Sequence, residues 1–282
     1  MANESSATRR RTRVSVAGWY LLLTGLSLII LFPVWMTIVR ALSEPFIYIE
    51  EGQPLYPVSI DWGVFSTAWS DGDLGRSMAL TLLVTAIITV FQLVTSVLAA
   101  YSFAFVRFPF KNTLFVVLLA SLLLPVEVTL IANVRTIREL GWLDSAQGLS
   151  APFLASAFGI FLIRQGFLGV PSELRDAARI DGFGHFAFLR RVAIPVNRPI
   201  IASFTLITAL AAWNQYLWPR TATTQERWET IQVTLRSISV QRPERFNVGV
   251  AAAIIASLPI LALLVVFQRQ IIRGLTAGAV KG

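Results

Sequence analysis

Six stretches of this 282-residue chain are long and apolar enough to cross a hydrocarbon layer, and no other feature restricts its fold so severely. A helix needs about 20 mostly apolar residues to span a core of roughly 30 Å. The stretches fall at about 16–42, 77–106, 112–134, 149–170, 200–218 and 248–272. Pro33, Pro125 and Pro259 lie inside the first, third and sixth. A proline removes a helix donor, so Pro33 predicts a kink and Pro125 an interruption. Composition agrees: 55% of residues are hydrophobic and 14% charged, with a mean hydropathy of +0.66. A soluble domain carries about 25% charged residues, so the polar surface here is too small to cover a globule. The expected fold is all-α, a polytopic membrane protein with six transmembrane helices. A basic tail at 1–14 precedes a membrane domain at 15–272, which contains a cytoplasmic polar loop at 171–198, and a second tail occupies 273–282.

The arginines and lysines predict orientation, because cytoplasmic loops are enriched in them. Arg9, Arg10, Arg11 and Arg13 precede the first stretch, and Arg107 and Lys111 separate the second from the third. Arg175, Arg179, Arg190, Arg191 and Arg198 separate the fourth from the fifth, and Arg269, Arg273 and Lys281 close the chain. With six crossings all four regions share one side, so both termini are expected in the cytoplasm. The first external loop agrees: Glu44, Glu50, Glu51, Asp61, Asp71 and Asp73 stand there against one arginine. The fifth loop dissents, since Arg220, Arg227, Arg236, Arg242 and Arg245 would lie outside. Membrane loops account for the net charge of +8 without a nucleic-acid partner. The first apolar run exceeds a signal-peptide core and has no small-residue cleavage site after it, so it reads as an uncleaved span.

Several chemistries are excluded. With no cysteine there is no disulfide scaffold, iron–sulfur cluster, Cys-based zinc site or thiol nucleophile. The lone histidine, His185, lies in a polar loop, which excludes mechanisms needing two imidazoles. H-E-x-x-H, G-x-S-x-G and G-x-x-x-x-G-K-[ST] are all missing. No catalytic or metal-binding residue is assigned. If ATP powers the protein, ATP and Mg²⁺ bind to another subunit.

The segment from Pro171 to Pro195, PSELRDAARIDGFGHFAFLRRVAIP, carries the most information. Ser172 is placed to cap a helix, with Glu173 and Asp176 in its first turn where the dipole favours anions. Ala177 and Ala178 offer a small-residue face for close approach. Gly182 suits the left-handed residue that ends such a helix. Phe186, Phe188 and Leu189 form an apolar patch beside Arg190 and Arg191 in a second helix. Physics alone allows either a solvated loop with aromatics at the membrane interface or a docking element for a cytoplasmic partner.

The residues Asp176-Ala177-Ala178, Asp181-Gly182 and Val192-Ala193-Ile194-Pro195 resemble the EAA loop of ATP-binding-cassette importer permeases. That loop reads E-A-A-x-x-x-G, nine residues, then I-x-L-P. Asp176, Val192 and Ile194 are conservative departures from it. Ala99 to Ala104 followed by Arg107-Phe108-Pro109, Trp213-Asn214-Gln215-Tyr216, and Gly274 to Gly282 resemble the MalG-like, carbohydrate-type branch. Leu124 to Val128, Leu143-Asp144-Ser145 and Trp213 to Pro219 are similar to its UgpE-type members. Those serve importers of sn-glycerol-3-phosphate and glycerophosphodiesters such as glycerophosphocholine; a permease for a disaccharide such as trehalose is the alternative. A stand-alone secondary transporter would leave the EAA spacing unexplained.

The resemblance implies a type I importer fold in a bacterial inner membrane, surrounded by lipid. It implies a homologous second permease, two ATPase subunits and an extracytoplasmic solute-binding protein. Glu173, Asp176, Ala177, Ala178, Asp181, Gly182 and Pro195 would couple the chain to an ATPase, and the C-terminal tail with Lys281 would reach it too. Polar residues at membrane depth are pathway candidates because they are costly elsewhere. Glu127 lines the pathway or is simply solvated; Trp213, Asn214, Gln215 and Tyr216 meet a polyol or bind helices together. Arg164 is expected to snorkel to the cytoplasmic interface rather than hold a phosphate, Gln92 is open between the same two roles, and Arg220 and Arg227 are placed to attract an anion.

Overall fold

The structure is a computed structural model that describes residues 4–279, with side chains over 18–125 and 127–268. The side chains of Arg9, Arg10, Arg11, Arg13, Arg269 and Arg273, and Lys281 altogether, lie outside the described set. In chain order the α-helices are α1 (Glu4–Leu42), α2 (Pro45–Glu50), α3 (Val64–Asp71), α4 (Leu74–Phe105) and α5 (Lys111–Ala120). Next come α6 (Val126–Glu139), α7 (Ala146–Ser150), α8 (Ala157–Leu168), α9 (Ser172–Ile180) and α10 (His185–Phe188). The last are α11 (Ile194–Val196), α12 (Arg198–Trp213), α13 (Leu217–Ala222), α14 (Ile231–Gln241) and α15 (Phe246–Ala279). Among the described residues there is no strand.

Three helices reach spanning length unaided: Gly18–Leu42, Leu74–Phe105 and Pro243–Gln268. Three bent helix pairs pass the same test of length and composition, giving up to six spans if each pair is one: Lys111–Leu123 with Glu127–Glu139 at 99°, Ala146–Phe153 with Ala157–Leu168 at 50°, and His185–Val196 with Arg198–Trp213 at 81°. α1 continues through Pro33 as one element. At Pro125 the helix does break, as expected: Leu124 is forced to an extended ψ of 118° before the proline, and Pro125 then caps α6. The fifth span differs from expectation. It begins in the polar loop and its helix stops at Trp213, five residues early, because Asn214 caps it and α13 starts separately with Pro219 inside.

The described residues form two compact units. One takes in the chain up to Gly72 together with Ile238–Ile255. Its small core joins Val39, Tyr48 and Val58 with Phe246 packed against them. The turn after α1 is tied by Ser43, whose hydroxyl donates to the Val39 carbonyl at 2.7 Å and accepts from the Val58 amide at 3.2 Å. Glu44 caps α2 through the Ile47 amide at 2.7 Å, and Asp71 is ion-paired with Arg242. Side chains on α1 such as Leu21, Ile29 and Ile30 are exposed, the state of an apolar helix that meets lipid or a partner helix rather than its own core.

The other unit, Asp73–Ser237 with the chain from Ala256 on, is organised on α4. α8 and α12 both pack along it. Gly159 permits the closest approach: a Cβ there would meet the Phe204 ring at 2.2 Å and the Ser96 hydroxyl at 2.5 Å. The Gln92 amide donates to the Phe153 carbonyl at 2.7 Å and its oxygen accepts from Thr208 at 3.2 Å, so Gln92 binds helices together. Arg164 is engaged within the bundle: its Nε donates to the Phe103 carbonyl at 3.1 Å and its guanidinium lies 4.1 Å from the Phe115 ring centre. At one end of the unit, Asp144 clasps the segment after α13. Its carboxylate accepts from the Thr224 amide at 2.7 Å, the Thr224 hydroxyl at 2.6 Å and the Gln225 amide at 3.1 Å. Arg76 extends the tie, donating to the Glu226 carbonyl at 2.7 Å.

Two outcomes follow. Gly159→Val drives a branched side chain into Phe204, and we expect a loss of about 3 kcal/mol, the upper end for overpacking, read as an earlier midpoint in detergent unfolding. For Asp144, partial burial pushes the carboxyl up, but the Thr224 and Gln225 hydrogen bonds with the Arg227 charge outweigh it and hold the group below its ordinary value. A depressed pKa contributes stability that is complete above about pH 4 and fades as pH falls through the folded value. Amide exchange at Thr224 and Gln225 should therefore quicken on acidification, after correction for intrinsic exchange, and Asp144→Ala should make it fast and insensitive to that titration.

Candidate functional site

The polar loop folds into two short helices set on the end of α4. Pro171, not Ser172, is the N-cap of α9, with φ −53° and ψ 139°, and no side chain caps the helix. Proline commits the chain to that extended geometry, so Ser172 becomes the first helical residue. Glu173 lies in the first turn as expected, but Asp176 falls one turn later and instead faces Arg179, 3.6 Å away on the exposed surface.

The exit of α9 matches the sequence reading closely. Gly182 adopts φ +75°. Its amide donates to the Arg179 carbonyl at 3.0 Å, and the Phe183 amide reaches back to the Ala178 carbonyl at 2.8 Å. This is a Schellman motif, and its apolar partners, Ala178 and Phe183, join one buried cluster. Open space surrounds the Gly182 Cα, so only the left-handed backbone demands glycine there.

The alanine pair is divided. Ala178 is buried in the cluster and Ala177 is exposed, because adjacent residues on a helix point about 100° apart. The expected aromatic patch is divided in the same way. Phe188 and Leu189 are buried, while Phe186 is 72% exposed. What the loop offers outward is Glu173, Leu174, Asp176, Ala177, Ile180, Asp181 and Phe186.

Inward, the loop is fastened by rings. Phe188 lies edge-on to Phe105 at 5.3 Å and near Tyr101 at 6.4 Å, and Tyr101 meets Phe167 of α8 edge-on at 6.4 Å. Aromatic pairs in these geometries add about 0.5–1.5 kcal/mol each beyond burial. The Tyr101 hydroxyl lies 2.9 Å from His185 Nδ1, tying the first residue of α10 to α4. From Leu189 to Ala193 the chain takes a π turn before α11, where Pro195 sits in the first turn. Asn197 closes the segment: it is buried, and its amide donates to the Ala193 carbonyl at 2.9 Å. Gly166 of α8 makes room for it, since a Cβ there would meet the Asn197 oxygen at 2.5 Å. Sequence reading missed Tyr101, His185, Gly166 and Asn197 as parts of this joint. The lone histidine of the chain, beside the glycine motif, was the available signal.

The pathway candidates sit in different surroundings. Glu127 is exposed in the first turn of α6. Trp213 is buried in the bundle. Asn214 bonds to the Leu210 carbonyl at 2.8 Å and accepts from Gln232 at 3.3 Å. The Gln215 side-chain oxygen is buried with no partner among the described residues, and Tyr216 is exposed. Trp213 thus packs the bundle here rather than offering a face for stacking.

Comparison with known proteins agrees with this architecture. Residues 92–277 match the family described as binding-protein-dependent transport system inner membrane component. The sn-glycerol-3-phosphate transport system permease protein UgpE of Rhizobium meliloti is 34% identical over 275 residues, covering 94% of this chain and 97% of that protein. The protein of the same name from Yersinia enterocolitica is 34% identical over 256 residues, covering 88% and 91%. In fold, the chain is similar to a chain of a bacterial ABC transporter involved in the import of the acidic polysaccharide alginate, with a TM-score of 0.77, 24% identity, and 92% and 97% coverage. Bent apolar helices, a glycine-ended loop fastened to the end of α4 and full-length relatives point the same way: the chain belongs to the binding-protein-dependent transport system inner membrane component family, as a multi-pass permease subunit of an ABC importer and not an enzyme.

Proposed function

We propose that this permease carries sn-glycerol-3-phosphate or glycerophosphodiesters inward, together with a homologous permease, two ATPase subunits and an extracytoplasmic solute-binding protein. The relatives named for glycerol-3-phosphate transport, matched over nearly their whole length, carry the substrate reading. ATP and Mg²⁺ bind the ATPase subunits, and this chain supplies part of the path and the lever. Both termini and the loop around α9 face the cytoplasm, which the run of basic residues there supports.

The mechanism follows from how the loop is held. An ATPase seated against the outward residues of α9, Glu173, Asp176, Ala177 and Asp181, moves that helix when it closes on nucleotide. Gly182 fixes the angle to α10, and Pro195 the exit toward α12. The ring cluster around Tyr101 and Phe188 passes the displacement to α4 and α8 without slack, because close-packed interiors transmit rather than absorb small shifts. The opposite end of the bundle then opens to solute delivered by the binding protein. Asn214, Gln215, Tyr216 and Glu127 lie toward that end and are the polar groups available to a passing polyol phosphate.

Two experiments test this reading. Gly182→Asp or Asp176→Lys should cut uptake to below about a tenth while membrane insertion is unchanged; the glycine change places a charged side chain on a left-handed backbone at the joint. Normal transport with both changes together removes the coupling role. Uptake by the whole transporter should be strong for glycerol-3-phosphate or glycerophosphocholine and near background for trehalose. The reverse order assigns the importer to a disaccharide instead.

A further inference from the structure

Between α9, α10 and the end of α4 lies a cavity of about 230 Å³. The rings of Tyr101, Phe105 and Phe188 form one wall, and Arg175, Arg179 and His185 supply its charged and titratable groups. No acidic residue lines it. The Arg175 Nε is buried and has no hydrogen-bond partner among the described residues. The other polar groups nearby are already engaged: the Tyr101 hydroxyl with His185 Nδ1 at 2.9 Å, and Arg179 with Asp176 at 3.6 Å. A third guanidinium, Arg191, lies over the Phe183 ring at 5.2 Å and adds positive charge to the same corner.

A buried guanidinium N–H without an acceptor is costly, and a positive cavity without a carboxylate compounds the cost. Both problems disappear when an anion enters. We propose that a carboxylate side chain of the ATPase subunit occupies this cavity and pairs with Arg175, a contact that deepens the coupling role proposed above and rests on it. The planar guanidinium suits a carboxylate, which takes two parallel N–H bonds from it. The volume is several times the roughly 30 Å³ share of one water, room enough for the head of an aspartate or glutamate. A protein donor is favoured over a free anion because the same two short helices present Leu174, Ile180 and Phe186 to the outside, Ile180 being 87% exposed. Apolar side chains at a charged opening fit a protein surface and do nothing for a dissolved ion. On this account α9 is held by its apolar outer face and locked in register by one buried ion pair.

The test uses the whole transporter purified with its ATPase subunits, and follows how much ATPase stays bound as salt rises from about 0.1 to 1 M. Arg175→Met should weaken retention about tenfold and uncouple hydrolysis from uptake, whereas Arg175→Lys, which keeps the charge but loses the two parallel N–H bonds, should recover only part of both. Arg175→Asp combined with each acidic residue of the ATPase docking face changed in turn to arginine should recover uptake for one pair, naming the occupant. If Arg175→Met holds its ATPase like the unaltered protein while Gly182→Asp releases it, the loop docks but the carboxylate does not exist. If no charge-swapped pair recovers uptake, no carboxylate of the docking face pairs with Arg175 and the proposal falls. If neither Arg175→Met nor Gly182→Asp has an effect, the coupling reading falls first.

Discussion

In hydrocarbon a backbone has no water to bond with, so every break in a helix frees carbonyls that the protein must satisfy itself. This chain bends three helix pairs, and at the break between α7 and α8 it meets the demand with side chains from a neighbouring helix. The break between α7 and α8 frees the carbonyls of Phe153, Leu154 and Ser156. Gln92 donates to the first at 2.7 Å, Thr95 to the second at 3.1 Å and Ser96 to the third at 3.5 Å. These donors stand three and four residues apart on α4, one face of a helix. A polar strip on α4 therefore exists to cover a kink in its neighbour. Ser156 completes the arrangement by capping α8 through the Gly159 amide at 3.1 Å. Asn197 and Asn214 do the same work at the two ends of α12.

The same logic explains how a polar loop is joined firmly to a membrane bundle. A loop tethered only by hydrogen bonds to water would move without moving the helices behind it. Here Ala178 and Phe188 enter the bundle's own core and share it with Ile163 and Phe167 of α8 and Phe204 of α12. Lys111 adds a charged lock, donating to the Ala104 and Val106 carbonyls at 3.3 and 2.9 Å at the end of α4, where a cation suits the helix dipole. α4 is thus braced along its length by Gln92 and Thr95, and at its end by Tyr101 and Lys111.

The parts legible in the sequence were those governed by local rules. Apolar length gave the spans, Pro125 gave one break, and the spacing from Asp176 to Pro195 gave the loop with its left-handed Gly182. The parts that stayed hidden depend on which way a side chain faces. Ala177 and Ala178 look equivalent in a string, yet only one meets the core. Ser172 is a better capping residue than proline by chemistry, but Pro171 had already fixed the extended turn. Polar residues within spans carry two meanings, pathway or glue, and nothing in the string separates Gln92 from Gln215. The structure separates them: Gln92 uses both ends of its amide on neighbours, and Gln215 leaves its oxygen unanswered.

The arginines of the fifth loop show where charge counting needs geometry. They opposed the orientation drawn from every other loop, because counting treats each arginine as free. Arg242 is not free: it is paired with Asp71. Arg227 acts on Asp144, whose carboxylate is already bound by Thr224 and Gln225. An arginine matched to a local acid leaves little net charge for an anionic leaflet to attract, since the field that sorts loops falls off within a Debye length of about 8 Å. With those two removed from the tally, the imbalance of the fifth loop shrinks, as does that of the loop around α9, where Arg179 is paired with Asp176. Part of the conflict therefore arises from a sum taken over residues instead of over uncompensated charges.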